Sequence, residues 1–479
     1  MFPVYNLSKI NGFAELLGLR MCAPSEETGE CKPNKHIVAT QSKYIKKNGE
    51  NEEALVANYT MFHYDKSILS NCLVEEYGLL RSVIANENKQ LVSFSPPKSL
   101  QADDFIKMFP LREEAIIAEE MIEGTMINVF WDAQLNMFNI ATKSTIGGNV
   151  YFFKNKEKKT FKMMFEEVAS IAKLDIQTLN KHFCYSFVMQ HPDNRIVVPF
   201  AKPQLYLIAV YSIVQKCVNE AVFLDVYQCN PHDAYDWSST GVQFPKRYEQ
   251  WNNYTELINK YASLNTPYTT LGVMIKNMQT GARCKVRNPV YEEVRQLRGN
   301  QPKHQYQYLS LRQQGKVRDF LKYFPEYKKD FSQFREQVHA FTNTLYLNYI
   351  SHFIKKEAPI ETFPEQFRTH MFKLHEKYKT ELKPNNSYVS NTVVIEYVNT
   401  LHTSQLMHVL NYNFKVHNND CKKNRVQDPS ATSPTKDNND ANDNNGVNDV
   451  NNTSDNNDAN NTNDANDAND ASNAKDTSA

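Results

Sequence analysis

The feature that most limits what this chain can fold into is a change of hydrophobic pattern at Asn288-Pro289. Before that point, short runs rich in β-branched and aromatic residues alternate with turn signals. Leu91 to Phe94, Met126 to Phe130, Phe138 to Ala141, Tyr185 to Met189, Ile196 to Val198, Leu205 to Val210, Ala221 to Val226 and Val273 to Ile275 read as strands, with a helix over Lys162 to Ala172. After it, Phe331, Phe334, Val338, Phe341 and Leu345 recur at alternating three- and four-residue steps, the period of a helix rather than of a strand. Asn288 suits an N-cap and Pro289 the first helical position. Tyr291, Val294 and Leu297 share a face, and Gly299 can close the helix. Lys316 to Phe324, Pro364 to Tyr378 and Asn391 to Leu410 also suit helices. The pattern predicts an α+β body with antiparallel sheets over residues 1–290 and an all-helical domain over 291–415.

Residues 416–479 are a different material. They repeat Asn-Asp-Ala units, as in Asn463-Asp464-Ala465, and hold too few apolar residues to offset the entropy of ordering, so a disordered tail is expected there. From Asn424 onward eleven aspartates face three basic residues. The chain as a whole balances at 54 basic against 54 acidic residues, so the part before Asn424 carries a net charge of +8 and the tail −8. A positive body favours polyanions such as nucleic acid, and the tail reads either as a charged spacer or decoy or as low-complexity drift. The first ten residues carry no apolar run behind basic ones, which argues against a secretory signal. The longest apolar run, Leu205 to Val214, is about half of what a membrane helix needs. Eight cysteines without a C-x-x-C pair read as reduced thiols. A soluble, intracellular protein without membrane attachment is expected. No zinc spacing, Gly-rich phosphate loop or Ser-His-Asp pattern is present, so no metal site is read from the sequence.

Chemistry concentrates at Glu119-Glu120-Met121-Ile122-Glu123-Gly124-Thr125, which runs into the apolar Met126 to Asp132. This resembles the nucleophile motif of covalent nucleotidyltransferases, Lys-x-Asp/Glu-Gly-Ser/Thr followed by a strand, with Met121 in the lysine slot. The resemblance extends both ways, to the phage RNA ligase 1 branch of that family. Leu80-Arg81-Ser82-Val83 and Phe94-Ser95-Pro96-Pro97-Lys98 resemble its upstream basic elements, and Ala141-Thr142-Lys143-Ser144-Thr145-Ile146-Gly147 its Thr-Lys/Arg-Gly-Ser segment. Tyr185 to Val198 is similar to the Phe-Glu-apolar-x-x-Pro-x-Asn-Arg-Ile-Val motif, Leu271 to Ile275 to Glu-Gly-x-Val-apolar, and Arg283 to Arg287 to the terminal Lys-x-Lys.

The resemblance implies a nucleotidyltransferase (ATP-grasp-like ligase) domain over 1–290. It implies phosphate or nucleotide contacts from Arg81, Lys98, Glu123, Lys143, Lys285 and Arg287, and ATP and Mg²⁺ as cofactors of an active member. Together with the Asn/Asp-rich tail it implies a large DNA virus of eukaryotes, hence host cytoplasm or virus factory. Three slots depart from the family: Met121 replaces the lysine, and Val188 and Leu271 replace the two carboxylates that recognise the ribose and organise the metal. A thioether cannot store a nucleotide as a phosphoramidate, and Val and Leu offer Mg²⁺ no oxygen. No catalytic residue is therefore assigned, and a degenerate ligase that binds nucleotide or RNA ends in RNA repair or processing is expected. An active ATP-dependent ligase using Lys98 or Lys143 as a non-standard nucleophile, and a structural or virion protein on the ligase fold, remain alternatives. The stretch Arg295 to Tyr308 interleaves basic and aromatic residues, read either as an RNA-tracking surface or as helical core.

Overall fold

The computed structural model describes residues 4–19, 34–46, 55–151, 159–218 and 221–412. The tail expected to be disordered lies outside them. The described residues divide into two compact units, one up to Arg298 and one from Gly299 onward.

The first unit is α+β, built from three antiparallel sheets whose strands are numbered here along the chain. The largest has six strands in the order β1 (Tyr5–Asn6), β11 (Ala221–Cys229), β10 (Gln204–Val218), β9 (Cys184–Gln190), β7 (Thr125–Asp132) and β8 (Met137–Ala141). The second orders β13 (Arg283–Arg287), β12 (Gly272–Asn277) and β6 (Ile116–Glu120). The third runs from β2 (Ile37–Lys46) through β3 (Leu55–Tyr64) and β4 (Val83–Asn86) to β5 (Leu91–Phe94).

Period-two alternation explains how the six-stranded sheet buries both faces. Ile127 and Val129 of β7 pack with Phe165 and Val168 of helix Phe161–Ile171, whereas Phe130 joins Tyr59 and Phe62 of the four-stranded sheet. Thr160 caps that helix through the Met163 N–H. One face of the three-stranded sheet, carrying Ile116, Ala118, Val273, Ile275 and Cys284, is covered by Phe105, Trp251 and Leu257.

Helix Pro289–Arg298 closes the first unit. Its Asn288 side-chain oxygen accepts from the Val290 N–H at 2.9 Å, and its amide donates to the Thr266, Pro267 and Thr270 carbonyls. Tyr291 and Val294 are buried. These contacts tie the helix to the sheet body, although its periodicity alone groups it with the helices beyond it. Gly299 follows in the left-handed region, at φ 60°.

The second unit is all helical among its described residues. Its longest helix, Lys328–Tyr349, buries Phe331, Val338, Phe341 and Leu345, the stripe expected from the sequence, and leaves Phe334 half-buried. Tyr308 lies 5.2 Å from Phe331 and 6.0 Å from Phe334 between ring centroids, so this aromatic of the mixed stretch serves the core. The predicted helix over Asn391 to Leu410 is two, Asn391–Thr400 and Thr403–Leu410, because Leu401 turns to extended backbone and His402 caps the second through the Ser404 N–H.

One predicted strand does not form. Residues 196–198 are bends, and the N–H groups of Val197 and Val198, which a strand partner would need, are both taken by Glu123.

Candidate functional site

Strand β6 passes to β7 through Met121 to Gly124, and the fold gathers the three departing slots around this turn. The Met121 N–H donates to the Gly272 carbonyl at 3.3 Å, beside the buried Leu271. Gly124 runs so close to β9 that a Cβ there would lie 2.7 Å from Val188 Cγ1 and 2.4 Å from the Met189 carbonyl oxygen. Met121 is half-buried; Val188 and Leu271 are buried. Residues separated by up to 150 positions in the chain are thus neighbours, and none of the three side chains carries a nucleophilic amine or an oxygen.

Glu123 holds the turn in place. Its carboxyl is 2 % exposed, and one oxygen accepts from the Val197 and Val198 N–H groups at 3.0 Å each. Burial pushes its pKa up to about 7, against the opposing pull of these amides, the Tyr291 phenol and the Arg195 charge. Two more bonds staple the same turn: Gln190 donates to the Glu123 carbonyl at 2.9 Å, and Asn194 to Thr125 Oγ1 at 2.7 Å. The stretch from Gln190 to Val198 is therefore a clamp on the turn, with Glu123 and Thr125 as its acceptors.

The basic residues fall into two groups. Lys98 and Lys143, 45 positions apart in sequence, place their amines 5.8 and 5.5 Å from the centroid of the Tyr64 ring. Ser82 supports this group by donating to the Lys143 carbonyl at 3.0 Å. Arg81 is buried, with its charge felt at Tyr211. The second group lies on the three-stranded sheet. Because Val273, Ile275 and Cys284 face the apolar core, alternation puts Met274, Lys276, Arg283, Lys285 and Arg287 on the opposite face. Lys276 and Arg283 there line, with Tyr5, Ala209 and Tyr211, the narrow space between this sheet and the six-stranded one. Arg287 pairs with Glu292 at 3.3 Å, and Glu292 also holds Arg295. Glu119 is paired with Lys276.

A cavity of about 710 Å³ opens between the N-terminal segment and the β12–β13 turn, lined by Tyr5, Lys9, Leu79, Lys98, Phe109 and Arg283 among others. Of the candidate phosphate-binding residues only Lys98 reaches it, and Met121 does not line it. Sequence reasoning missed Tyr64, which lies on a strand it did not predict. It also missed Tyr291, whose periodicity marked it only as helix face. Asn194 was within a quoted motif and needed only its partner, Thr125, to show what it does.

Val188 and Leu271 supply no ligand, and among the described residues no group of three or more His, Cys, Asp or Glu side chains is placed to hold an ion.

No protein-family model matches the chain. An RNA ligase of Rhodothermus phage RM378 is 24 % identical to it over 331 residues, 62 % of this chain and 72 % of the phage protein. The chain is RNA-ligase-like. A second viral relative, the immediate-early protein ICP-46 homolog of Invertebrate iridescent virus 6, is 24 % identical over 284 residues. That match covers 55 % of this chain and only 58 % of the iridescent virus protein's length. A solved RNA ligase of Naegleria gruberi overlays 54 % of this RNA-ligase-like chain and 98 % of its own, at 9 % identity and a TM-score of 0.28, too loosely to bear on the site. Among the described residues no helix is long and apolar enough to cross a membrane.

Proposed function

We propose that this chain is a degenerate RNA ligase that binds nucleotide or RNA ends through their phosphates and forms no covalent nucleotidyl intermediate. The observation that carries this reading is Met121 at the β6–β7 turn, hydrogen-bonded through its backbone to Gly272 and flanked by Val188 and Leu271. Nucleotidyl transfer needs an amine lone pair aimed at the α-phosphate, and the thioether offers no equivalent. The cations remain. Lys98 and Lys143 at Tyr64, with Arg81 next in the chain to the supporting Ser82, form one phosphate-binding group; Lys285 and Arg287 on β13 form the other, with Arg287 able to bind two phosphate oxygens at once. ATP would be held as a ligand and not consumed. RNA repair or processing in an infected host cell is the setting that the viral relatives favour.

A second reading has its own support. The Lys98 and Lys143 amines converge on one ring, which would suit a relocated nucleophile if the α-phosphate were delivered there.

Salt dependence tests the binding reading. Association of a 5′-phosphorylated single-stranded RNA should weaken linearly in log–log form with added salt, each phosphate contact adding roughly −0.7 to the slope. Lys285→Ala should make that slope shallower by about one such step. Absence of RNA binding at low salt, with the protein folded, would contradict the reading.

A further inference from the structure

We propose that the basic face of the three-stranded sheet grips phosphate with side-chain cations alone and needs no divalent metal ion, an inference that rests on reading that face as part of a nucleotide or RNA-end site. The argument is a census of the carboxylates around the motif turn and the three-stranded sheet. Glu119 is 8 % exposed and ion-paired with Lys276. Glu292 is shared by Arg287 and Arg295. Glu120 accepts the Lys246 N–H at 3.0 Å. Glu123 gives one oxygen to two backbone amides and lies in a site where burial disfavours its charge. A metal ion entering here would compete with a cation at Glu119 and Glu292 and with a backbone donor at Glu120 and at one oxygen of Glu123, whose other oxygen is buried beside the Tyr291 phenol.

Mg²⁺ keeps most of its water and is usually fixed by one or two carboxylates together with substrate phosphates. Each of those carboxylates here already has at least one oxygen engaged, and the neighbouring positions Val188 and Leu271 are apolar and buried. The positive side is better supplied. Arg283, Lys285 and Arg287 recur at every second residue of β13, so they share one face at about 7 Å intervals. This is a row of positive charge. On this face and on the helix that follows β13, Glu119 and Glu292 are outnumbered by Lys276, Arg283, Lys285, Arg287 and Arg295. Phosphate charge that a bound ion would otherwise neutralise can be met by this row.

The test uses the full chain and two probes, ATP and a 5′-phosphorylated single-stranded RNA, titrated in excess Mg²⁺ and in excess EDTA at matched ionic strength. Affinity should agree between the two conditions within about a factor of two for at least one probe. For that probe, Lys285→Ala with Arg287→Lys should weaken binding about tenfold in both conditions. A tenfold or greater loss of affinity on chelation, for every probe that binds, would overturn the inference while leaving the phosphate-binding reading in place. Metal-independent binding that ignores the β13 substitutions would also overturn it, by placing the phosphates elsewhere. No binding of either probe in either condition would overturn both the inference and the reading beneath it. The comparison of Mg²⁺ with EDTA needs no variant, so it stands even where a substitution impairs folding.

Discussion

Glu123 shows how one buried residue can fix the shape of a motif turn. Its carboxyl anchors the Val197 and Val198 amides, so the turn retains its conformation although Met121 has no amine to present. Holding an acid in so buried a place has a consequence for pH. Its pKa is about 7 when folded against an ordinary value of 4.5, so between those values the folded protein binds the extra proton. The contribution of this group is therefore most favourable below the ordinary value, declines as pH rises through that window, and is flat above about 7. Glu123→Gln keeps an acceptor for both amides and removes the titration. Denaturant unfolding measured at several pH values should show the Gln variant gaining stability relative to wild type as pH rises from about 4.5 to about 7. A constant difference across that range would show that Glu123 does not titrate there.

At the scale of elements, two glycines set how closely the sheets approach the motif. Gly272 opens β12 at φ 133°, and a Cβ there would meet the Val286 carbonyl oxygen at 2.1 Å. Gly124, at φ 150°, is equally constrained by the Met189 carbonyl. Gly272→Ala should lower unfolding stability by about 2–4 kcal/mol, from backbone strain and collision with a rigid carbonyl. A loss under about 0.5 kcal/mol by denaturant titration would contradict this geometry. The sequence revealed the elements whose local signals agree with their tertiary setting: the strands near Phe130, Phe187 and Ile275, the capped helix after Asn288, and the Phe331 to Leu345 stripe. It hid β2 and β3, whose mixed polar runs form a strand only by pairing with each other over ten positions. It also misled at Ile196 to Val198, where three β-branched residues look like a strand and a distant carboxylate claims the amides of the last two. The site was legible to the same degree. Motif order gave Met121, Val188 and Leu271 as a group, whereas the convergence of Lys98 and Lys143 on Tyr64 depends on three separate segments meeting and left no local trace.

At the scale of the whole molecule, the described chain is a sheet-built unit that carries the motif turn and a helical unit whose central aromatics serve its own core. The net charge of zero divides into a basic body and an acidic end. This arrangement is consistent with a protein that meets polyanions through its folded part. The claim that joins residue, element and molecule is that phosphate recognition has outlived covalent chemistry. Intact-protein mass after incubation with ATP or GTP and Mg²⁺, beside a Lys98→Ala control, tests it most directly. The mass should be unchanged in both proteins. A nucleotidyl adduct on the wild-type chain would contradict the account, and its loss in Lys98→Ala would point to the relocated nucleophile.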